Sequence, residues 1–573
     1  MSARLEGRAA SPGVALAPAF VIGADHGTVP PAAEEGAPRD AEEERARAEE
    51  ALEQTEERLS DLAEQTRERL GDEADIFLAH ADFAGDPEVL DRVHAAIAEG
   101  ASAEVAVARA FDSFRELLEV SEDEYLAGRA ADIDDVRDQV LDVLAGRDVA
   151  PAPEERSVVV ARELTPSQTA MLPRELIAAV ACEAGSPTSH AAILSRALGI
   201  PAVVGIAGLL AAVEGGTLMA VDGHAGVVRV DPDAGEQEDI RTRIAQDERR
   251  RERLAALRDE PGRTADGRHV ELAANIGGSA DLAPATEHGA EGSGLVRTEF
   301  LFQDAREEPS IDEQVDFYRK VLAAFPGQRV VFRTMDVGAD KPLPFITREH
   351  PEENPALGVR GLRLGLLRPE LLGNQLRALL RAGAGADPDH GRLAIMFPLV
   401  STPDEVRRAR AALDAAAAEE GVPLDGVEIG IMVEVPSAAL AAQRIAPLVD
   451  FFSVGTNDLL QYLFAADRLV AELAALPDAA DPDVLRLLGD VITVAHRHGT
   501  WVGVCGEAAA DLPVAAALVG LGADELSMTP TAIPEVKDAL RRLDQDALAK
   551  LSSEAIAADS AADARALLER ALG

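Results

Sequence analysis

Apolar residues change their period along this chain, and the changes divide it. Ala9 to Ile22 reads as a Pro/Gly turn followed by a short strand, after which Pro30, Pro31 and Pro38 punctuate a loop. From Asp40 to Leu70 a charged run carries apolar residues at helical spacing. The pattern continues through Asp72–Leu90, Ala101–Val120 and Glu122–Leu144, which predicts a four-helix insert. Pro151-Ala152-Pro153 breaks the helices, and Ser157–Ala161 opens strand-like territory that runs on to Gly226–Val230. With the first twenty residues it forms an expected small α/β domain, and Asp231 to Arg258 returns to a charged helical pattern, a linker.

After Pro261, short apolar runs alternate with longer helical stretches, as in βα units. The runs are Val270–Ile276, Gly294–Thr298, Val330–Asp336, Leu393–Pro398, Val427–Glu434, Phe451–Asn457, Trp501–Glu507 and Glu525–Met528. Eight of them predict a closed (β/α)8 barrel of about 250 residues plus insertions. The fold class is therefore multidomain α/β, a small α/β domain with an inserted helical bundle followed by a TIM-type barrel.

Composition narrows the setting. The 573 residues exceed one ordinary core, and no window of about 18 apolar residues suits a membrane span. The first residues lack the apolar core of a secretory signal, and Cys182 and Cys505 are the only cysteines, so a reducing, cytoplasmic setting is expected. With 55 Lys plus Arg against 102 Asp plus Glu, the formal charge is −47. Such a surface repels nucleic acid and anionic membranes, so an anionic substrate needs a local basic pocket.

The strand ends supply one. Barrel active sites collect at the C-terminal ends of the strands. Here Arg297 ends the second run, Arg333 with Asp336 the third, and Glu434 the fifth; Asn457 and Asp458 follow the sixth, and Cys505 with Glu507 end the seventh. Two arginines can clamp a carboxylate and a phosphate, while Glu434 and Asp458 offer hard oxygen ligands for Mg2+ bridging the same anion. That combination describes a site for a phosphorylated carboxylate. Arg468, ten residues beyond Asp458, adds a third cation. Cys505, a thiol beside a cationic cluster, can exchange a proton near neutral pH; a buried small hydrophobe is the alternative.

Far upstream, the turn-rich stretch from Gly185 gives way to an apolar helix beginning at His190. Thr188 or Ser189 can cap it, and the free amide groups of its first turn favour an anion there while disfavouring imidazolium. His190 is thus a candidate phosphoryl carrier, with a capped core histidine as the alternative for Thr-Ser-His taken alone.

Gly185–Arg196, Gly294–Phe302, Arg333-Thr334-Met335-Asp336, Glu353-Asn354-Pro355, Phe451–Asp458 and Val504-Cys505-Gly506-Glu507 together resemble enzyme I of the bacterial sugar phosphotransferase system, the phosphoenolpyruvate-protein phosphotransferases. The resemblance runs in the same order through essentially the whole chain, including Asp75-Ile76-Phe77 to Asp86-Pro87. It implies a swivelling phosphohistidine domain (1–25 with 148–231), a helical domain that binds the carrier protein (26–147), a helical linker (232–262) and a phosphoenolpyruvate-binding barrel (263–573). His190 would be phosphorylated on Nε2, with Thr169 as a hydrogen-bonding neighbour. Arg297, Arg333, Asn457, Arg468 and the main chain at Asp458 would hold phosphoenolpyruvate, with Lys341 a further phosphate contact. Glu434 and Asp458 would hold Mg2+, and Cys505 would protonate the enolate to give pyruvate.

The implied acceptor is the small histidine phosphocarrier protein, docking on the helical insert where Asp72, Glu73 and Asp75 could steer a basic face. The reaction would be the first step of sugar uptake, and the implied assembly is a homodimer through the barrel. Two departures stand out. Ser186-Pro187 replaces the family's Gly-Arg before Thr-Ser-His, removing a cation, and Leu469-Val470 replaces Gly-Asn after Arg468, altering that loop. A phosphoenolpyruvate synthase or pyruvate phosphate dikinase would need an additional ATP-binding domain, whereas the small domain begins here within the first ten residues. A catalytically silent regulator would have no need for the whole Arg, Glu, Asp, Asn, Cys and His set.

Overall fold

The computed structural model describes the chain except residues 1–2, 23–28, 30–39, 71–74, 120–129, 148–151, 188, 190–191, 193–194, 197–198, 304, 306, 339–342, 347–351, 384–389, 469, 474–475 and 573. The chain divides into two units, Met1–Arg251 and Glu252–Gly573, with the boundary inside one long helix, Ala234–Ala256.

The first unit is built on an eight-stranded sheet: β1 (Ala3–Glu6), β2 (Arg8–Ser11), β3 (Val14–Val21), β4 (Ser157–Ala161), β5 (Ile177–Cys182), β6 (Ala202–Val204), β7 (Leu218–Asp222) and β8 (Val227–Val230), in the order β1-β8-β7-β3-β4-β5-β6-β2. Strands β3 to β6 run parallel and the flanking pairs antiparallel. β4 and β5 are buried at every position, so they read as unbroken apolar runs rather than alternations. The chain's start supplies three strands where the apolar pattern suggested one. β1 and β2 lie at opposite ends of the order yet are joined by Gly7 alone, so the sheet curls until its edges meet there. A Cβ at Gly7 would stand 2.7 Å from the Val204 carbonyl oxygen, which fixes glycine at the seam.

Among the described residues, five helices lie between β3 and β4: α1 (Ala41–Leu70), α2 (Asp75–Ala84), α3 (Pro87–Ala98), α4 (Ala103–Glu119) and α5 (Ala130–Leu144). The four-helix expectation merged α2 and α3. They part because Asp86 accepts the Glu88 amide at 2.7 Å and Pro87 starts a new helix, a signal already present in the Asp-Pro pair. Phe77, Val93, Phe111 and Val140 fill the bundle core. Its α5 reaches the sheet domain through buried Asp135, which accepts from the Ser167 hydroxyl at 2.6 Å and the Ser167 amide at 3.2 Å, at the start of helix α6 (Pro166–Met171).

The second unit is a closed parallel barrel of β9 (Glu271–Ile276), β10 (Gly292–Arg297), β11 (Arg329–Arg333), β12 (Arg392–Phe397), β13 (Glu428–Val433), β14 (Phe451–Val454), β15 (Trp501–Val504) and β16 (Glu525–Met528). All eight apolar runs become strands. The second, fourth and fifth stop one residue short of their predicted ends, and the third, sixth and seventh three short, because the residues that close those runs belong to loops or to the helix Thr456–Phe464.

Strand periodicity then assigns each position to a face. Val330, Phe332, Ile395, Phe397, Ile431, Val433, Val454 and Val504 join the outer core under the helices. Leu295, Val331, Ala394, Met396, Met432 and Phe451 form a separate inner cluster with Cys505. The inner face of β11 is therefore Arg329 at the base, Val331 in the middle and Arg333 at the rim. On β13 the same parity gives Glu428, Gly430 and Met432, and Glu434 just beyond the strand. Outer helices begin at capping boxes, Ser310 with Glu313 and Thr402 with Glu405. No helix among the described residues is long and apolar enough to cross a membrane.

Candidate active site

Eight of the residues singled out in the sequence line one cavity of about 100 Å3 at the C-terminal rim of the barrel: Arg297, Arg333, Asp336, Glu434, Asn457, Asp458, Arg468 and Cys505. An adjoining cleft of about 900 Å3 shares Arg297, Asn457 and Arg468 with it. Residues from β10, β11, β13, β14 and β15 converge there because each is an inner-face position at or just past a strand end.

Arg333 is buried. Its guanidinium pairs with Glu299 and with Asp336 at 3.2 Å, and these fix its plane. Burial opposes the charge, but Glu299, Asp336 and Glu434 more than offset it and raise the arginine above its ordinary value. Its Nε is buried without a partner among the described residues, while the residue itself lines the cavity. Arg297 is exposed, and Arg468, 44% exposed, lies 3.8 Å from Asp458. One arginine is thus fixed in the wall and two stand at the mouth, an arrangement suited to a carboxylate and a phosphate on one small molecule.

Glu434 is pushed up to about 8, first by burial and then by Asp336 and Asp458, against the pull of Arg333. Carboxylates crowded in this way favour an added cation. No group of three or more His, Cys, Asp or Glu side chains among the described residues is arranged to hold a metal ion. Mg2+ suits a sparser set, since it is commonly held by one or two carboxylates plus substrate phosphate and water. Glu434 and Asp458 meet that requirement.

Cys505 follows β15, its amide bonded to the Val454 carbonyl at 3.0 Å and its own carbonyl accepting from Asn275 at 3.1 Å. Burial pushes the thiol up to about 11, against a hydrogen bond with Ser453 and the charge of Arg333. The expected neutral-pH exchange is corrected accordingly: desolvation outweighs the arginine, and the group stands as a protonated thiol, the form of an acid. Gly506 follows because a Cβ there would fall 1.8 Å from the Thr456 hydroxyl. Asn457 is held both ways by Glu507, its amide donating at 3.2 Å and its oxygen accepting the Glu507 amide at 3.0 Å.

Thr169, in the first unit, is buried and donates its hydroxyl to the Thr165 carbonyl at 2.8 Å. His190, Thr188, Lys341, and the acidic residues Asp72 and Glu73 lie outside the described residues. Sequence reasoning passed over Arg360, which is buried with Nη2 3.0 Å from Asp336 and 3.7 Å from Asp458. The available signal was an arginine set in the otherwise uncharged Leu357-Gly358-Val359-Arg360-Gly361.

Three family descriptions match the chain: PEP-utilising enzyme, PEP-binding domain over residues 251–545; PEP-utilising enzyme, N-terminal over 6–129; and PEP-utilising enzyme, mobile domain over 153–226. Among curated relatives, the phosphoenolpyruvate-protein phosphotransferase of Bacillus sp. (strain S) is 41% identical over 575 residues, covering 99% of this chain and 98% of that protein. That of Lactococcus lactis subsp. lactis is 40% identical over 571 residues, covering 97% of each. That of Haloferax volcanii is 44% identical over 507 residues, covering 87% of this chain and 86% of its own. Identity sustained at this level from end to end, over a barrel whose rim gathers arginines, carboxylates and a thiol, means that the chain belongs to the phosphoenolpyruvate-protein phosphotransferase family.

Proposed function

We propose that this chain takes the phosphoryl group of phosphoenolpyruvate onto Nε2 of its own His190, passes it to a histidine of a small phosphocarrier protein, and releases pyruvate. The observation that carries the reading is the rim cavity, where three arginines, three carboxylates and a protonated thiol meet. The enol-ester O–P bond breaks as the N–P bond to His190 forms, and the electron pair stays on the enolate oxygen. Arg297, Arg333 and Arg468 neutralise the anionic oxygens, and Asn457 orients the substrate. The Cys505 thiol then delivers its proton to the enolate methylene carbon, which becomes the methyl group of pyruvate. Glu434 and Asp458 are the residues that would hold Mg2+, which when bound supplies positive charge to the phosphate. Lys341 is a further phosphate contact in this reading, and Thr169 supports the imidazole.

Because His190 belongs to the first unit and the anion site to the second, the two must meet at the rim for the first transfer and separate for the second. The same reading assigns carrier docking to residues 26–147, phosphohistidine chemistry to 1–25 with 148–231, linkage to 232–262 and substrate binding to 263–573. It makes the enzyme a cytoplasmic homodimer through the barrel, acting at the first step of sugar uptake. Brief incubation with phosphoenolpyruvate and Mg2+, followed by mass-spectrometric location of phosphate, tests it. Phosphate is expected on His190 alone and absent from His190→Ala; label persisting in that variant, or an unmodified parent protein, overturns the reading.

A further inference from the structure

Beyond the rim residues, a side chain from the far end of the chain reaches the cleft that adjoins the site. Arg565 lies on the C-terminal helix Ala561–Leu572, past the residues 251–545 that match the PEP-binding family description. Its Nη2 and Nε meet the two oxygens of Asp478 at 2.7 and 3.3 Å, and its Nη1 meets Asp511 at 2.7 Å. Asp478 ends the stretch that carries Arg468, and Asp511 precedes the helix Leu512–Leu521 that follows the Cys505 loop. Arg565 lines the adjoining cleft together with Arg297 and Arg468.

The two bridged segments differ in what else holds them. Cys505 is fixed by the strand ladder and by Asn275. Among the described residues the stretch after Arg468 pairs with no strand, and its Val470, Leu473 and Leu476 are 39, 37 and 52% exposed; its apolar anchors are Ala479 and Ala480 at its far end, beside Asp478. Its polar tethers among the described residues include the Arg468 amide on Gln461 at 3.3 Å, Arg468 beside Asp458 at 3.8 Å, and Arg565 on Asp478. Asp478 is held below the usual carboxylate range, Arg565 overcoming the effect of burial.

We infer that Arg565 is a positioning residue for phosphoenolpyruvate binding, a bidentate strut that fixes the segment carrying Arg468 against the loop after β15. The inference rests on the proposed reaction. A strut acting on Arg468 affects how the anion is held more than how Cys505 delivers its proton, so the loss falls on KM.

In the full-length protein, Arg565→Ala is expected to raise KM for phosphoenolpyruvate about ten-fold with kcat within about two-fold, as for loss of uniform binding. Arg565→Lys, which keeps charge but loses the fork, should fall between. In an Arg468→Ala background, Arg565→Ala should add nothing further to KM. Deuterium uptake across residues 465–480 should rise in Arg565→Ala. An unchanged KM, a fall in kcat alone, or a full additional effect without Arg468 overturns the inference. Should Arg565→Ala fail to fold, Asp478→Asn and Arg565→Lys are judged by the same criteria. If the parent protein takes no phosphate from phosphoenolpyruvate, the proposed function falls, whereas the uptake comparison still decides whether the strut exists.

Discussion

One strand carries the contrast that explains this barrel. β11 begins with Arg329 and ends with Arg333, both on the inner face, yet the two arginines have opposite roles. At the base, Arg329 pairs with Glu271 at 2.9 Å, Glu428 at 3.3 Å and Glu525 at 3.5 Å, and its guanidinium carbon sits 3.9 Å from the centre of the Trp501 ring. Trp501 stacks on Phe451 and donates to Glu428 at 2.7 Å. That arginine is engaged by three carboxylates and an aromatic face, and the cluster closes the barrel floor. At the rim, Arg333 is held by Glu299 and Asp336 and lines the cavity, its buried Nε without a partner among the described residues. A buried arginine is thus not by itself a site. What separates structure from function here is whether the guanidinium is surrounded by its own carboxylates or lines a cavity beside further cations.

The largest expected effect comes from removing the arginine that lines the cavity. Arg333→Ala should lower kcat/KM for phosphoenolpyruvate about 1,000-fold while the protein stays folded, as steady-state kinetics and circular dichroism together would report. Cys505→Ala comes next, with turnover on phosphoenolpyruvate falling about 100-fold or more. Phosphate return from phospho-His190 to the carrier should suffer less, and equal loss of both partial reactions counts against the proton-donor role. Arg329→Ala reverses the pattern. It leaves three carboxylates without their cation and should cost about 3–5 kcal/mol in urea unfolding, while the remaining folded enzyme keeps its KM.

The smallest effect sharpens the same comparison through pH. Glu525 is pushed up to about 8, by burial and then by Glu271, against Arg329. Its folded value exceeds its unfolded one, so its stabilising contribution is complete below the ordinary carboxylate range and is lost as pH rises towards 8. Glu525→Gln should therefore lose less stability than the parent between pH 5 and 8, measured as urea midpoints at the two pH values.

The rim was largely legible because its residues sit at the ends of apolar runs. A strand of period two that stops at Arg297, Arg333, Glu434 or Cys505 announces an inner-face polar residue at the barrel mouth, whatever the rest of the fold does. The base was not legible. Arg329, Glu271, Glu428, Trp501 and Glu525 open their strands, but nothing local says that four separate strands bring them round one guanidinium. Arg360 was missed for the same reason, since Asp336 and Asp458, which surround it, lie 24 and 98 residues away in sequence. The split between α2 and α3 is different: Asp86-Pro87 was visible, and the longer helical period hid it.

By itself, then, the sequence determined the alternation of strands and helices, the polar strand ends and the family, because each depends on short-range periodicity or on motifs read in order. Only the tertiary structure decided which arginine is surrounded by carboxylates and which lines the cavity, how far burial raises the thiol, and that the last helix reaches back to Asp478. Those outcomes depend on desolvation and on contacts between distant segments, and such quantities come into being only when the barrel closes.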